Sequence, residues 1–569
     1  MSPSKSDYSG EYGPHPMQEG LGFLYKKVAE ADKNAPPEFI IKDIYCFYDQ
    51  RHGTKPKEAI SFGIVLDKGP IIKRAGVMGG ISTGEAEPHT YFNEEQGILI
   101  KDTIDFFYNK VRQKFIGLNV SHAEEITEKI IKLDDEFRKN ASDKTRPRFS
   151  YIGSEISVGI SMICSIAFAE RLGVPLEIVL NYRYNKYCIK HNLTEKPLPI
   201  TIPINYSVVW EGGKHGAAFT LEEMEKKKII TDASKFPPRF KDPILVKKRD
   251  DKILLGMVPP QEVQILAFTP TWKQAWTIGI ELTKLYQEKL KERGIDFIYG
   301  AESGCTTKQT HTTNCELITL ELILDLLNEA TNDKRLGDDS KYVRWALDIA
   351  SSEMYIKEID MYYIGPSAAK NGSGLVTNEE FTEYKLKLFK KYPRFISVED
   401  WADESEMGHW EDAKQIMPYM IQMGDDNVVS NADLIIKFKN VQNAHLQKPN
   451  QSAEEQAMIA AVGTSHQLGN VVVFSHRGTR PADEDYTATA AMAMSGFGGK
   501  WTLWGIGRGA LIAAMNQVDA LYNRGPYAKV EVPYQGKLVM DKINSPYQQP
   551  WAKRLRDEIK NNRISIPSF

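Results

Sequence analysis

The chain has 569 residues, 42% of them hydrophobic and 26% charged, with a formal net charge of −3. That length exceeds one compact core and predicts two domains with tails. The near-neutral charge gives no electrostatic basis for nucleic acid or an acidic membrane as partner, and no run of about 18 apolar residues marks a membrane span.

Residues 1–37, punctuated by Ser, Gly and Pro and closed by KNAPP, read as a polar tail without the apolar core of a signal peptide. Segments 39–49 (FIIKDIYCFYD) and 59–66 (AISFGIVL) read as strands. A glycine-rich loop follows at 76–84, then helices at about 97–117, 122–140 and 153–173. The last of these is apolar nearly all round, which predicts a buried helix. Strands followed by helices point to an α+β module over residues 38–190.

From Leu198 the rhythm changes. Short apolar strands (ITIPINYSVV, VRWALDIA, FISVED, NVVVFS) alternate with amphipathic helices at 272–291, 314–330, 376–391, 408–420, 452–467 and 483–495. This alternation predicts a parallel α/β (TIM-like) barrel with helices outside, over residues 196–525. Residues 217–258, carrying EEMEKKK, FPPRFKD and VKKRDDK, read as a basic surface insertion, and 526–569 as a polar C-terminal extension. Five scattered cysteines, none in a CxxC pair, argue against a disulfide framework or a thiolate zinc site and fit a reducing, cytoplasmic setting.

In such a barrel, functional residues sit where strands finish. Asp348 ends WALDIASSE, Glu399 ends ISVEDW, and Asp425 lies in MGDDNVVSN. Each alone reads as the N-cap of the next helix. Three carboxylates at successive strand ends instead suit a hard cation such as Mg²⁺, which takes oxygen ligands and keeps positions for water or substrate.

The segments ALDIASSEMY, ISVEDWADESEMGHW, MGDDNVVSN and VVFSHRGTRPADEDYTA resemble successive barrel motifs of the enolase family. GISTG resembles that family's mobile loop, WEGGKHGA its histidine-bearing glycine loop, and PPQEVQILAFTPT and YGAESGCTT its two glutamate loops. In order and spacing the resemblance covers roughly residues 38–525. It implies an enolase-type N-terminal capping domain and barrel, Mg²⁺ as cofactor, and dehydration of 2-phosphoglycerate to phosphoenolpyruvate by a homodimer.

By the same resemblance Asp348, Glu399 and Asp425 hold the magnesium, and Ser82 reaches a second, substrate-bridging one; read locally, Ser82 is a turn residue. The base is a lysine, with two candidates. Lys437 ends an apolar stretch, but Lys448 precedes His476 by 28 positions (476 − 448), which fits the family's register without a gap, and its KPNQ resembles the family's lysine–x–Asn–Gln. Lys448 is therefore assigned. Pro449 follows it directly, and HLQK is less apolar than a buried barrel strand should be, since a proline in a central strand removes a ladder hydrogen bond. Glu302 is implied as the acid that protonates the leaving hydroxide, beside Glu262; Glu222 and Glu223 compete for the latter place. Arg477 grips the phosphate, His215 and His476 line the pocket, and Lys500 is the nearest candidate to bind the substrate carboxylate.

The second layer of this pattern has drifted. Glu211 and Lys214 stand where the family usually has an amide and a small residue, Ala301 and Ser303 flank Glu302, and Gly478 follows the His–Arg pair. Two functions are therefore expected in competition. One is a working Mg²⁺-dependent enolase. The other is a catalytically weakened paralogue used as a structural or scaffolding component, for instance in a cytoskeletal or ciliary assembly.

Overall fold

The structure, a computed structural model, describes residues 21–51, 57–77, 86–92, 97–213, 215–216, 219–236, 258–300, 302–365, 368–369, 372–475, 481–500, 532–541 and 545–567. No helix among them is long and apolar enough to cross a membrane.

The N-terminal module is built on an antiparallel pair, β1 (Ile41–Arg51) and β2 (Lys57–Leu66), with β3 (Ala75–Val77) on the far side of β2. Of helices α2 (Ala123–Asn140), α3 (Ser154–Leu172) and α4 (Leu176–Lys190), α3 lies on this sheet and the other two pack against α3. As its composition predicts, α3 is buried along nearly its whole length. A side-chain carbon at Gly159 would fall 2.2 Å from the Phe62 ring, so glycine lets α3 lie directly on β2.

Part of the predicted tail is instead core. Residues Gly22–Asn34 form helix α1, which buries Leu24, Tyr25, Val28 and Ala31 on one face. Tyr25 donates to Asn181 Oδ1 at 2.7 Å, and Lys186 pairs with Asp32 at 2.6 Å, so α1 is fixed to α4 by both polar and apolar contacts. The expectation of a tail to residue 37 fails because the Leu24–Tyr25–Val28–Ala31 stripe has helical spacing.

The second module is an eight-stranded closed barrel. Its strands are β4 (Ile204–Glu211), β5 (Glu262–Ala267), β6 (Val343–Asp348), β7 (Phe395–Glu399), β8 (Ile421–Gly424), β9 (Ala444–Gln447), β10 (Val471–Ser475) and β11 (Gly498–Lys500), and β11 pairs back onto β4. Outer helices include α5 (Trp272–Glu292), α6 (Leu320–Thr331), α7 (Asn378–Lys391), α8 (Met407–Ile416), α9 (Glu455–Gln467) and α10 (Pro481–Ala493). The expected parallel order is broken once: β5 runs antiparallel to both β4 and β6. The first residue of β5, Glu262, therefore stands in register with the last residues of its neighbours, Glu211 and Asp348.

Two other segments read as surface prove to be packed. In the first half of the basic insertion, Phe219, Leu221, Met224, Ile229, Ile230 and Phe236 form a small core with Ile356, Tyr363 and Leu375. Residues 237–257 lie outside the described residues. The C-terminal extension contains helix α11 (Pro550–Lys560), which buries Trp551, Ala552, Leu555 and Ile559. Its Glu558 accepts from Arg344 of β6 at 2.9 Å, both side chains being buried, and this joins the extension to the barrel. An amphipathic helix with a buried ion pair is structural, not a tail.

Candidate active site

The carboxylates expected at strand ends gather at one mouth of the barrel. Asp348 ends β6, Glu399 ends β7, and Asp425 follows β8 directly. All three are buried. Asp400, which the sequence reading passed over, links them. Its carboxylate accepts the Asp425 backbone N–H at 3.0 Å, and its own N–H bonds to Met423, pinning the turn after β7 to β8. The turn puts Asp400 in the left-handed region, at φ 48°. Ligand oxygens of Asp348, Glu399 and Asp400 lie within 4.8 Å of one another, as do those of Asp400, Asp425 and Asp426. Both overlooked residues follow a predicted ligand directly, in EDW and GDDN, so the acidic doublets were their signal.

Electrostatics make this a place that wants a cation. Burial drives the Glu399, Asp400 and Asp426 carboxyls well above the usual carboxylate range, and each is pushed further by neighbouring acids. Asp348 is also raised by burial, against the opposing pull of Lys500. Asp348 Oδ1 and Glu399 Oε2 are buried with no hydrogen-bond partner among the described residues. Acceptor-only oxygens left in this way fit a hard divalent cation, which could bind at Asp348, Glu399 and the Asp400-linked Asp425.

Two lysines already neutralise part of the cluster. Lys500, at the end of β11, lies 2.8 Å from Asp348, 3.0 Å from Glu399 and 3.1 Å from Glu262. Burial alone would discharge this ammonium, yet the surrounding carboxylates hold its pKa well above the usual lysine range. Lys448 follows β9, and its ammonium pairs with Asp425 Oδ2, while Gln451 donates to the other oxygen at 3.1 Å. The strand stops at Gln447, and Pro449 opens a helical turn over 449–452 with Lys448 as its N-cap. The proline thus removes no ladder bond. HLQK is polar because its outward face meets a buried network beneath the outer helices, in which His445 contacts Gln447 and Ser465 of α9. Lys437 sits instead at the end of a short outer helix, over the Phe438 ring.

A third group lies at the β4–β5 side. His215 Nδ1 is 3.1 Å from Glu262 and 4.0 Å from Glu302, all three side chains being buried. Burial would discharge the imidazole, but the hydrogen bond to Glu262 and the charges of Glu302, Glu262 and Glu211 raise its pKa to about 9. Burial would also raise Glu262, yet Lys500 and His215 hold it well below the usual carboxylate range. Glu222 and Glu223 lie exposed on a short helix, where Glu223 caps Thr220, so Glu262 is the glutamate beside the histidine. Ser82, His476 and Arg477 lie outside the described residues.

Residues 256–532 match the family model described as the enolase C-terminal TIM barrel domain. Over this stretch, a little under half of the chain, the barrel is similar to that of the enolase superfamily. The match takes in β5 to β11, and β4, which carries Glu211, precedes it. The enolase superfamily is one of lyase type that typically uses a divalent metal, and the acidic groups at this mouth could bind one.

Proposed function

We propose that the protein is a magnesium-dependent enolase that converts 2-phosphoglycerate to phosphoenolpyruvate. One observation carries the reading: a buried Lys500, a half-buried Lys448 and a buried Glu262–His215–Glu302 group share a single mouth with a carboxylate cluster whose Asp348 and Glu399 each keep an oxygen unpartnered among the described residues. In this reading Lys448 removes the proton beside the substrate carboxylate, and Glu302, next to Glu262, protonates the leaving hydroxide. Lys500 and His215 hold the substrate, with Arg477 and His476 on its phosphate. When bound at Asp348, Glu399 and Asp425, magnesium would stabilise the negative charge that develops on the substrate carboxylate, with Ser82 serving a second ion.

The test is a purified-protein assay with 2-phosphoglycerate and magnesium, followed by phosphoenolpyruvate absorbance. Turnover abolished by Lys448→Ala supports the reading; wild-type turnover no higher than that of the variant overturns it.

A second reading rests on Lys500. Its contacts to Asp348, Glu399 and Glu262 give the mouth internal charge compensation without a metal. This suits a paralogue kept as a structural component, as a homodimer or within a cytoplasmic, cytoskeletal or ciliary assembly. Deletion of 217–258 would then abolish co-sedimentation with that assembly, and unchanged recovery counts against the segment as the contact.

A further inference from the structure

One buried acid at the mouth has no part in the chemistry above. Glu211 ends β4 and is fully buried. Its Oε2 accepts the backbone N–H of Glu302 at 2.9 Å, and its Oε1 accepts that of Gly304. A single carboxylate thus takes two N–H groups of the turn that presents Glu302. The turn itself is closed by Gly300 N–H to Gly304 O at 2.9 Å and by Ser303 N–H to Gly300 O at 3.2 Å.

The glycines at both ends of that turn are shaped to this carboxylate. A side-chain carbon at Gly300 would fall 2.4 Å from Glu211 Oε2, and one at Gly304 would fall 3.0 Å from Glu211 Cγ. The other loop starts at the same point. Gly212 follows Glu211 in the chain, and its carbonyl accepts from Gly216 at 2.8 Å, closing the turn that carries His215. Glu211 therefore lies beneath both loops, at the place where Glu302 and His215 come within 4.0 Å.

We propose that Glu211 is a positioning residue: its two carboxylate oxygens tether the 300–304 turn, fix Glu302 against His215 and Glu262, and so set the acid side of the site. The role of Glu302 as proton donor rests on the enolase reading; the tether does not. Two acceptor oxygens for two donors is what the geometry demands. An amide offers one acceptor and turns an N–H₂ toward a backbone N–H, leaving a buried donor unsatisfied.

The experiment compares the full chain with Glu211→Gln and Glu211→Ala in three measurements. Site-resolved hydrogen exchange is expected to quicken about tenfold or more at both the Glu302 and Gly304 amides in Glu211→Ala, and at one of the two at least in Glu211→Gln, which keeps a single acceptor oxygen. Turnover of 2-phosphoglycerate is expected to fall about 10–100-fold with KM nearly unchanged. Magnesium affinity by calorimetry is expected to hold, which separates loss of the tether from general unfolding. Unchanged exchange at those two amides in both variants overturns the proposal, as does faster exchange with unaltered turnover. An inactive wild type overturns the enolase reading alone, since the exchange measurement still decides whether the tether exists.

Discussion

Lys500 Nζ lies 2.8 Å from Asp348 Oδ2, and both side chains are almost fully buried. A fixed ammonium thus shares the carboxylates that a divalent cation would use. Replacing it by a neutral chain, as in Lys500→Met, strands Asp348, Glu399 and Glu262 together. Removing one partner of a buried ion pair costs about 3–5 kcal/mol. We expect a matching drop in unfolding free energy, recovered in part by added magnesium. Denaturant melts with and without the ion measure both effects; a stability that ignores the substitution would sink this account of the cage.

Lys448 and Lys437 make an internal control. Lys448 pairs with Asp425 at the mouth, whereas Lys437 ends an outer helix. Lys448→Ala is expected to lower turnover by about 10²–10⁴-fold, the usual range for a lost general base, and Lys437→Ala to leave it within about twofold of wild type. Equal losses in the two variants would refute the assignment.

His445 should make the fold sensitive to acid. Burial lowers its pKa to about 4, below the ordinary 6.5, while its ring bonds to Gln447 and Ser465. A depressed folded value means the unfolded chain binds the proton first. This contribution is present above pH ~6.5 and is lost as pH falls toward about 4, by roughly 3 kcal/mol in all. Glu155 and Glu454, which burial raises to about 7, act with the opposite sign, gaining stability as pH falls. Comparing urea melts of His445→Gln with wild type across that range isolates the histidine. Parallel stability curves for the two proteins would refute the prediction.

Helix α11 is predicted to be indispensable. Trp551 is fully buried, with its ring 5.5 Å from Phe497. Trp551→Ala should cost about 3–5 kcal/mol, as large-to-small core changes do. A shift in melting midpoint no larger than that of a surface substitution would show that the extension is dispensable.

The strands that ended in acid were the easiest part of the site to read. VRWALD and FISVE are apolar runs stopped by a carboxylate, and the fold uses both as such. Strands β8 (IQMG) and β9 (AHLQ) were hidden for the opposite reason. Gln422, His445 and Gln447 make buried polar contacts with the chain packed outside the barrel, so no apolar run or alternation marks them. Strand β5 lies in PPQEVQILAFTPT, which reads as a glutamate loop, and its reversal is set by its neighbours and not by its own residues. Glu211 was noticed only as a departure from pattern. Its use depends on a turn some ninety residues further along the chain, a relation that local sequence does not carry.

The reversed strand β5 has an architectural consequence. A parallel connection must travel the height of the barrel to begin again at the other end, whereas the segment from Gly212 to Gln261 departs from and returns to the same rim. The cost of closing a loop grows only logarithmically with its length. Chain can therefore be added here without shifting any stave of the barrel, and whatever is added emerges directly above the chemistry. New specificity or new attachments could be grafted onto this rim while the scaffold beneath remains as it was.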